Sequence, residues 1–240
     1  MEGKSKPRIS IEPDTALIDD PVSIVLTGFS PGQPVTVQAS THDGAGRKWS
    51  SHAVFTANSD GEVHLSRQKP SKGSYRKVDP MGLFWSMEGE GGKGFSRTLK
   101  STAVTVSAAV DDRIAASSKL TRLAYSDGVI RHSLRENGLI GECFLPENRK
   151  KAPIILALGG SGGGLGWSEN IAALLASRGF AALALAYFGM ESLPNQLAEI
   201  SLEYFQKAIQ WFRSRNEIFA DKLGVIGVSK GGELALLLAS

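Results

Sequence analysis

The stretch "LGVIGVSKGGELALLLAS", Leu223 to Ser240, decides the fold: an apolar strand-like run leads straight into Ser229, and an apolar helical run leads straight out. Gly227, Ser229 and Gly231 form a G-x-S-x-G pattern. In a chain with 27 glycines that pattern is weak by itself, and its placement is what gives it weight. A strand that turns this sharply into a helix strains the backbone of the central residue, and glycines two before and two after it keep side chains out of the crossing. The serine hydroxyl then stands above the sheet edge, at a helix N-terminus whose free N–H groups favour developing negative charge. Two readings follow. Ser229 is a nucleophile whose transition state the backbone N–H of Lys230 stabilises, or Ser229 merely caps the last helix.

Upstream, "APIILALGG" (152 to 160) is a continuous apolar run of the kind buried on both faces of a parallel sheet. "SENIAALLASRGF" (168 to 180) reads as a helix with Ser168 at the N-cap and Gly179 as its stop, and "AALALAYF" follows as a second strand. From Asn195 to Arg215, Leu197, Ile200, Tyr204, Ala208 and Trp211 recur three or four apart, predicting one helix with a single apolar stripe. The order β-α-β-α-β-α argues for a doubly wound α/β sheet with right-handed crossovers.

Between Ile9 and Ala109 the period is different. "PVSIVLTGF" (21 to 29), "PVTVQAS" (34 to 40), "HAVFTAN" (52 to 58) and "TAVTVSA" (102 to 108) are short and β-branched, with turn chemistry in "FSPGQP", "HDGAGR" and "NSDGE" between them. Val35, Val37 and Ala39 share one face, with Thr36 and Gln38 opposite, so one side of this sheet is packed and the other wet. A small β-sandwich is expected over residues 1–118, a polar connector around Asp111 to Arg122, and the α/β sheet over 119–240.

The second glycine-rich turn, "LGGSGGG" from Leu158 to Gly164, follows the first central strand. It is no Walker loop, because Leu165 and Gly166 stand where Lys and Ser or Thr are required, and G-x-G-x-x-G finds Leu165 in place of its last glycine. It is either a flexible turn or the place where α/β-hydrolases keep their second oxyanion N–H, here from Ser161 or Gly162. Such a donor is worth roughly 3 kcal/mol in the transition state.

Taken with "DPMGLFWSME" (79 to 88), "GSGGGLGWSENIAALLASRGFAALALAYFG" (160 to 189) and "LPNQLAEISLEYFQKAIQWF" (193 to 212), the chain resembles the acyl-CoA thioesterase / bile acid-CoA:amino acid N-acyltransferase family over nearly its whole length. The resemblance implies an N-terminal immunoglobulin-like β-sandwich followed by an α/β-hydrolase domain. It also implies attack of Ser229 on the thioester carbonyl of an acyl-CoA, giving an acyl-enzyme that water or an amino acid resolves. Members of the family that transfer to glycine or taurine carry cysteine at the nucleophile position and members that hydrolyse carry serine, so Ser229 points to a thioesterase. An N-acyltransferase, a carboxylesterase on the same fold and a non-catalytic binding module are the alternatives.

A serine nucleophile needs a base and an orienting carboxylate, which follow it in this fold. His42, His52, His64 and His132 all precede Ser229, and none is expected to serve. Since "GGELALLLAS" ends on an apolar helical run without a stop signal, the α/β domain is expected to be partial: the N-terminal part of a longer enzyme, inactive in this form.

The 27 basic and 24 acidic residues, net +3, are spread along the chain, which argues against nucleic-acid binding. Cys143 is the only cysteine, so an internal disulfide is excluded and a reducing compartment, the cytoplasm, is expected. No apolar run is long enough to span a bilayer. Metal and redox cofactors are not implied, coenzyme A entering only as part of the substrate.

Overall fold

A computed structural model describes residues 6–147, 152–215 and 218–240, with the backbone alone over 218–222. The chain forms two units. The first runs up to Ser96 and resumes over Lys100–Leu123; the second combines Arg97–Leu99 with Ala124–Ser240.

The first unit is a β-sandwich. Its strands are β1 (Arg8–Glu12), β2 (Thr15–Leu17), β3 (Ser23–Thr27), β4 (Pro34–His42), β5 (Lys48–Thr56), β6 (Val63–His64), β7 (Lys72–Gly73), β8 (Glu88–Gly89), β9 (Thr102–Val110) and β10 (Arg113–Leu123), with a single turn of helix, α1 (Gly82–Trp85). One sheet has the order β1-β3-β6. The other has the order β2-β10-β9-β4-β5-β7, with β8 also on β5. The alternation read in β4 is the packing: Val35, Val37 and Ala39 are fully buried while Thr36 and Gln38 face outward. They join Ile24, Leu26, Phe55, Val106 and Leu120 in one core, each larger side chain contributing about 1.5–3 kcal/mol by burial. "NSDGE" closes as a turn, with Gly61 at φ 74° and the Asn58 carboxamide accepting the N–H groups of Asp60 and Glu62, but it is not the hairpin that its Asp-Gly pair signals, because β5 and β6 lie in different sheets.

The expected connector at Asp111 to Arg122 is instead strand β10, paired along its length with β9. Only Leu120 and Arg122 of its residues are buried and Ile114 is exposed, so no apolar alternation marks it, and the two-residue turn is made by Asp111 and Asp112 in left-handed conformation. The expected boundary after residue 118 therefore falls inside a strand, and the units divide after Leu123. Arg122 at its end is buried, its guanidinium resting on the Phe84 ring and donating to the carbonyls of Ile18 and Asp20.

The second unit is an α/β sheet built from β11 (Val129–Glu136), β12 (Leu139–Pro146), β13 (Ala152–Leu158), α2 (Gly166–Ser177), β14 (Ala181–Ala186), α3 (Leu202–Arg213), β15 (Ile218–Gly227) and α4 (Lys230–Ala239). The strand order is β11-β12-β14-β13-β15; β13, β14 and β15 are parallel and the β11-β12 hairpin is antiparallel. Sequence decides which helix covers which face. In β14, Ala182, Ala184 and Ala186 point to Ala172, Ala173 and Ala176 of α2, letting helix and sheet approach closely. Leu183 and Leu185 point the other way, to Phe205, Ala208 and Phe212 of α3 and to Leu234 and Leu238 of α4. Helices on both faces make the sheet doubly wound.

Two helices differ from expectation. Helix α2 starts at Gly166, so Ser168 is no N-cap; it is buried in the first turn, its Oγ donating to the Leu165 carbonyl at 3.1 Å. Gly179 does stop that helix, at φ 90°. Helix α3 starts at Leu202, not Asn195, because Pro194 and the left-handed Glu199 interrupt the approach and leave Leu197 exposed.

Candidate active site

Because β13, β14 and β15 are parallel, their C-terminal ends share one edge of the sheet, where open α/β sheets bind ligands. Each end carries a feature: Gly159–Gly164 after β13, Tyr187 and Phe188 after β14, and Ser229 after β15. The Val228 N–H donates to the Leu158 carbonyl at 3.3 Å, so the first and last of these are tied together.

Ser229 has φ 54° and ψ −122°, a conformation that L-residues avoid at about 1–3 kcal/mol. The flanking glycines are required by space. A Cβ on Gly227 would lie 2.0 Å from the Gly231 carbonyl oxygen, and one on Gly231 would lie 2.3 Å from that of Gly159 and 2.4 Å from that of Leu158. Ser229 is exposed and makes no side-chain capping hydrogen bond to α4, which removes the helix-cap reading. Lys230 opens the helix, so its N–H belongs to the first turn, where amides lack intrahelical partners. Its ammonium is turned along the surface to Glu233, at 2.8 Å.

The β13 turn passes directly beside Ser229. A Cβ on Gly160 would lie 3.1 Å from the Ser229 Cβ and 3.7 Å from its Oγ. The turn is closed by the Gly163 N–H on the Gly160 carbonyl at 3.2 Å, which leaves Ser161 and Gly162 as its two central residues. A Cβ on Gly162 would meet nothing within 4 Å. Gly160, which is not among the expected oxyanion donors, is thus the loop residue beside Ser229, and Ser161 and Gly162 stand beyond it.

Tyr187 is a second residue that sequence reasoning misses; its buried hydroxyl donates to the Gly159 carbonyl at 2.6 Å. The available signal is a hydroxyl at the end of the otherwise apolar run "ALALAYF". Burial pushes its pKa up, so it remains a protonated donor.

Within its own unit Ser229 has no histidine at hand. His132 lies on β11, at the opposite edge of the sheet, four strand spacings or about 19 Å across. His42, His52 and His64 belong to the sandwich, where His64 pairs with Glu62 at 2.8 Å. The buried carboxylate of the unit, Glu142, is taken up by Arg131 at 2.9 Å and Ser133 at 3.0 Å. Beside it, burial pushes the pKa of Glu169 up against the opposing pull of Arg131. Among the described residues no group of three or more His, Cys, Asp or Glu side chains gathers as a metal site, and no helix is long and apolar enough to cross a membrane.

A serine held between a parallel strand and the helix that follows it, with a glycine loop against its side chain, makes the second unit an α/β-hydrolase sheet that follows an N-terminal β-sandwich in the chain. The model of the acyl-CoA thioester hydrolase/BAAT N-terminal region matches residues 19–136, and the BAAT/acyl-CoA thioester hydrolase C-terminal model matches residues 200–240. Human acyl-coenzyme A thioesterase 1 is 38% identical over 232 residues, covering 92% of this chain and 54% of its own. Mouse acyl-coenzyme A amino acid N-acyltransferase 1 is 38% identical over 241 residues, covering 95% and 57% respectively. The chain belongs to the acyl-CoA thioester hydrolase/BAAT family, and it spans about half the length of these relatives. Among solved structures, a dienelactone hydrolase-like promiscuous phosphotriesterase from metagenomic libraries aligns with 46% of this chain and 53% of its own, at 23% identity and a TM-score of 0.37.

Proposed function

We propose that the protein hydrolyses acyl-CoA thioesters through a serine acyl-enzyme. The observation that carries this reading is the left-handed Ser229, set between two glycines that cannot bear a Cβ and faced by Gly160. Ser229 Oγ loses its proton to a base and bonds to the thioester carbon, whose oxygen becomes an oxyanion. The backbone N–H of Lys230 and that of Ser161 or Gly162 receive this charge, each for roughly 3 kcal/mol. The C–S bond then breaks, the coenzyme A thiolate takes the proton from the base, and water repeats the sequence to release the free acid.

The proposal requires a histidine base and an orienting carboxylate from the whole protein, in the chain order Ser, Asp or Glu, His that this fold uses. No step calls on a metal or redox cofactor. The relatives named as thioesterases and the serine at the nucleophile position favour hydrolysis over transfer to an amino acid. A place in fatty acid and lipid metabolism follows from that substrate class. The cytoplasm is the compartment we propose, since the single cysteine, Cys143, is a buried thiol.

The test is an assay of the whole protein with fatty acyl-CoA, with p-nitrophenyl esters, and with acyl-CoA plus glycine or taurine. Thiol release with free acid as product is expected, and Ser229→Ala should lower it by about 10³-fold or more. Turnover that survives the substitution overturns the reading; an N-acyl amino acid as main product moves it to the transferase.

A further inference from the structure

Six of the eight residues from Gly159 to Gly166 are glycine, so the loop beside Ser229 has almost no intrinsic stiffness. Oxyanion donors stabilise a transition state only if they are already aimed when charge develops. Something outside the loop must therefore hold it. Two anchors come from one dipeptide at the end of β14: the Tyr187 hydroxyl donates to the Gly159 carbonyl at 2.6 Å, and the Gly164 N–H donates to the Phe188 carbonyl at 3.1 Å.

Resting on the reading of Ser229 as nucleophile, we propose that Tyr187 is a positioning residue for the oxyanion-binding loop. The peptide plane is rigid, so fixing the Gly159 carbonyl also fixes the direction of the Gly160 N–H and the start of the turn that carries Ser161 and Gly162. The same carbonyl oxygen is the atom that a Cβ on Gly231 would strike at 2.3 Å, so it sits against the first turn of α4, two residues from Ser229. The tyrosine ring cannot swing away. It packs against Phe188 at 5.2 Å and Phe205 at 5.5 Å between ring centroids, and the residue is 5% exposed. Ring packing sets the hydroxyl, the hydroxyl sets the Gly159 peptide, and that peptide sets the donors.

Tyr204 supplies the control. It stacks edge-on against the same Phe205, at 5.6 Å, donates to the Ala186 carbonyl at 2.6 Å and accepts the Ile140 N–H at 3.2 Å, so its hydroxyl is at least as heavily engaged but does not touch the loop. Amide exchange resolved by NMR on the whole protein gives the first readout. Tyr187→Phe should speed exchange of Gly163 and Gly164 by about tenfold or more, and Tyr204→Phe should not. In the whole protein, Tyr187→Phe should lower kcat for acyl-CoA by about 10- to 100-fold with KM unchanged, the mark of misplaced transition-state contacts. Unaltered exchange and kcat in Tyr187→Phe, or equal effects from Tyr204→Phe, overturn the proposal. If Tyr187→Phe does not fold, the unaltered protein decides: a Tyr187 hydroxyl proton that exchanges as fast as that of a free tyrosine overturns it, and a protected one, bonded to the Gly159 carbonyl, supports it. A whole protein without Ser229-dependent turnover removes the thioesterase reading, while amide exchange still decides whether Tyr187 holds the loop.

Discussion

Two glycine-containing turns of the chain are held in opposite ways. In "HDGAGR" of the sandwich, the Asp43 carboxylate accepts backbone N–H groups from Ala45, Arg47 and Ser96 at 2.9–3.1 Å, the Arg47 guanidinium at 2.6 and 2.9 Å, and the Trp49 indole at 3.2 Å. The turn is filled from within. The turn after β13 has no acidic side chain at its centre; it is gripped from outside by Tyr187 and Phe188 and pressed against Ser229. A turn whose donors converge on its own carboxylate is structure. A turn held only at its ends keeps its central N–H groups for something else.

The sharpest way to break this contrast is to add one methyl group where the two backbones cross. Gly227→Ala or Gly231→Ala places a Cβ within 2.0–2.4 Å of backbone carbonyls that cannot rotate away. A loss of more than about 3 kcal/mol is expected in chemical denaturation, the upper end of what overpacking costs. The sandwich, with a core of its own, should retain its transition. Either variant unfolding like the unaltered chain would show that the crossing has slack.

How much of this arrangement is legible in the sequence depends on whether burial and period coincide. Val35, Val37 and Ala39 alternate because one face of β4 is wet, and "APIILAL" is uniformly apolar because both faces of β13 are covered. Those strands, and the strand-serine-helix turn, are readable. Strand β10 is not, since only Leu120 and Arg122 among its residues are buried. The β11-β12 hairpin carries its own signal in the Asn137-Gly138 pair, at φ 54° and 74°, a two-residue turn that stands outside the β-α-β-α-β-α order. The apolar stripe starts helix α3 seven residues too early, because a stripe shows which positions share a face and not where a left-handed residue breaks it. At the site, Ser229 is legible from its setting. Gly160 and Tyr187 are not, because their roles come from strands that are neighbours in the sheet and distant in sequence.

A smaller effect tests the filled turn. Burial opposes ionisation of Asp43, but the donors from Arg47, Ser96 and Trp49 outweigh it and hold the carboxyl well below the usual carboxylate range. With a folded pKa below the unfolded value of about 4, the ionised group adds stability above pH 4 and loses it as pH falls toward the folded value. Thermal melts of the chain should therefore fall off in acid. Asp43→Asn should lower Tm at neutral pH and flatten that decline, since the amide neither titrates nor accepts from the guanidinium as strongly. An unchanged acid slope would mean that other carboxylates carry it.

The smallest effects separate the turns most cleanly, because they come from glycines with open space around them. Gly46, in the sandwich turn, has φ 77° and nothing within 4 Å of where a Cβ would stand, so Gly46→Ala meets only left-handed strain, about 1 kcal/mol. Gly162, in the β13 turn, has equally open surroundings and no left-handed φ, so Gly162→Ala should change stability by less than about 0.5 kcal/mol. What alanine does at Gly162 to turnover is then uncoupled from folding. If the open space above Ser161 and Gly162 is where the acyl-CoA carbonyl lies, a methyl group there should raise KM or lower kcat in the whole protein while Tm stays put. Full activity in Gly162→Ala would move the second oxyanion donor back along the loop, to the peptide of Gly160, which faces Ser229.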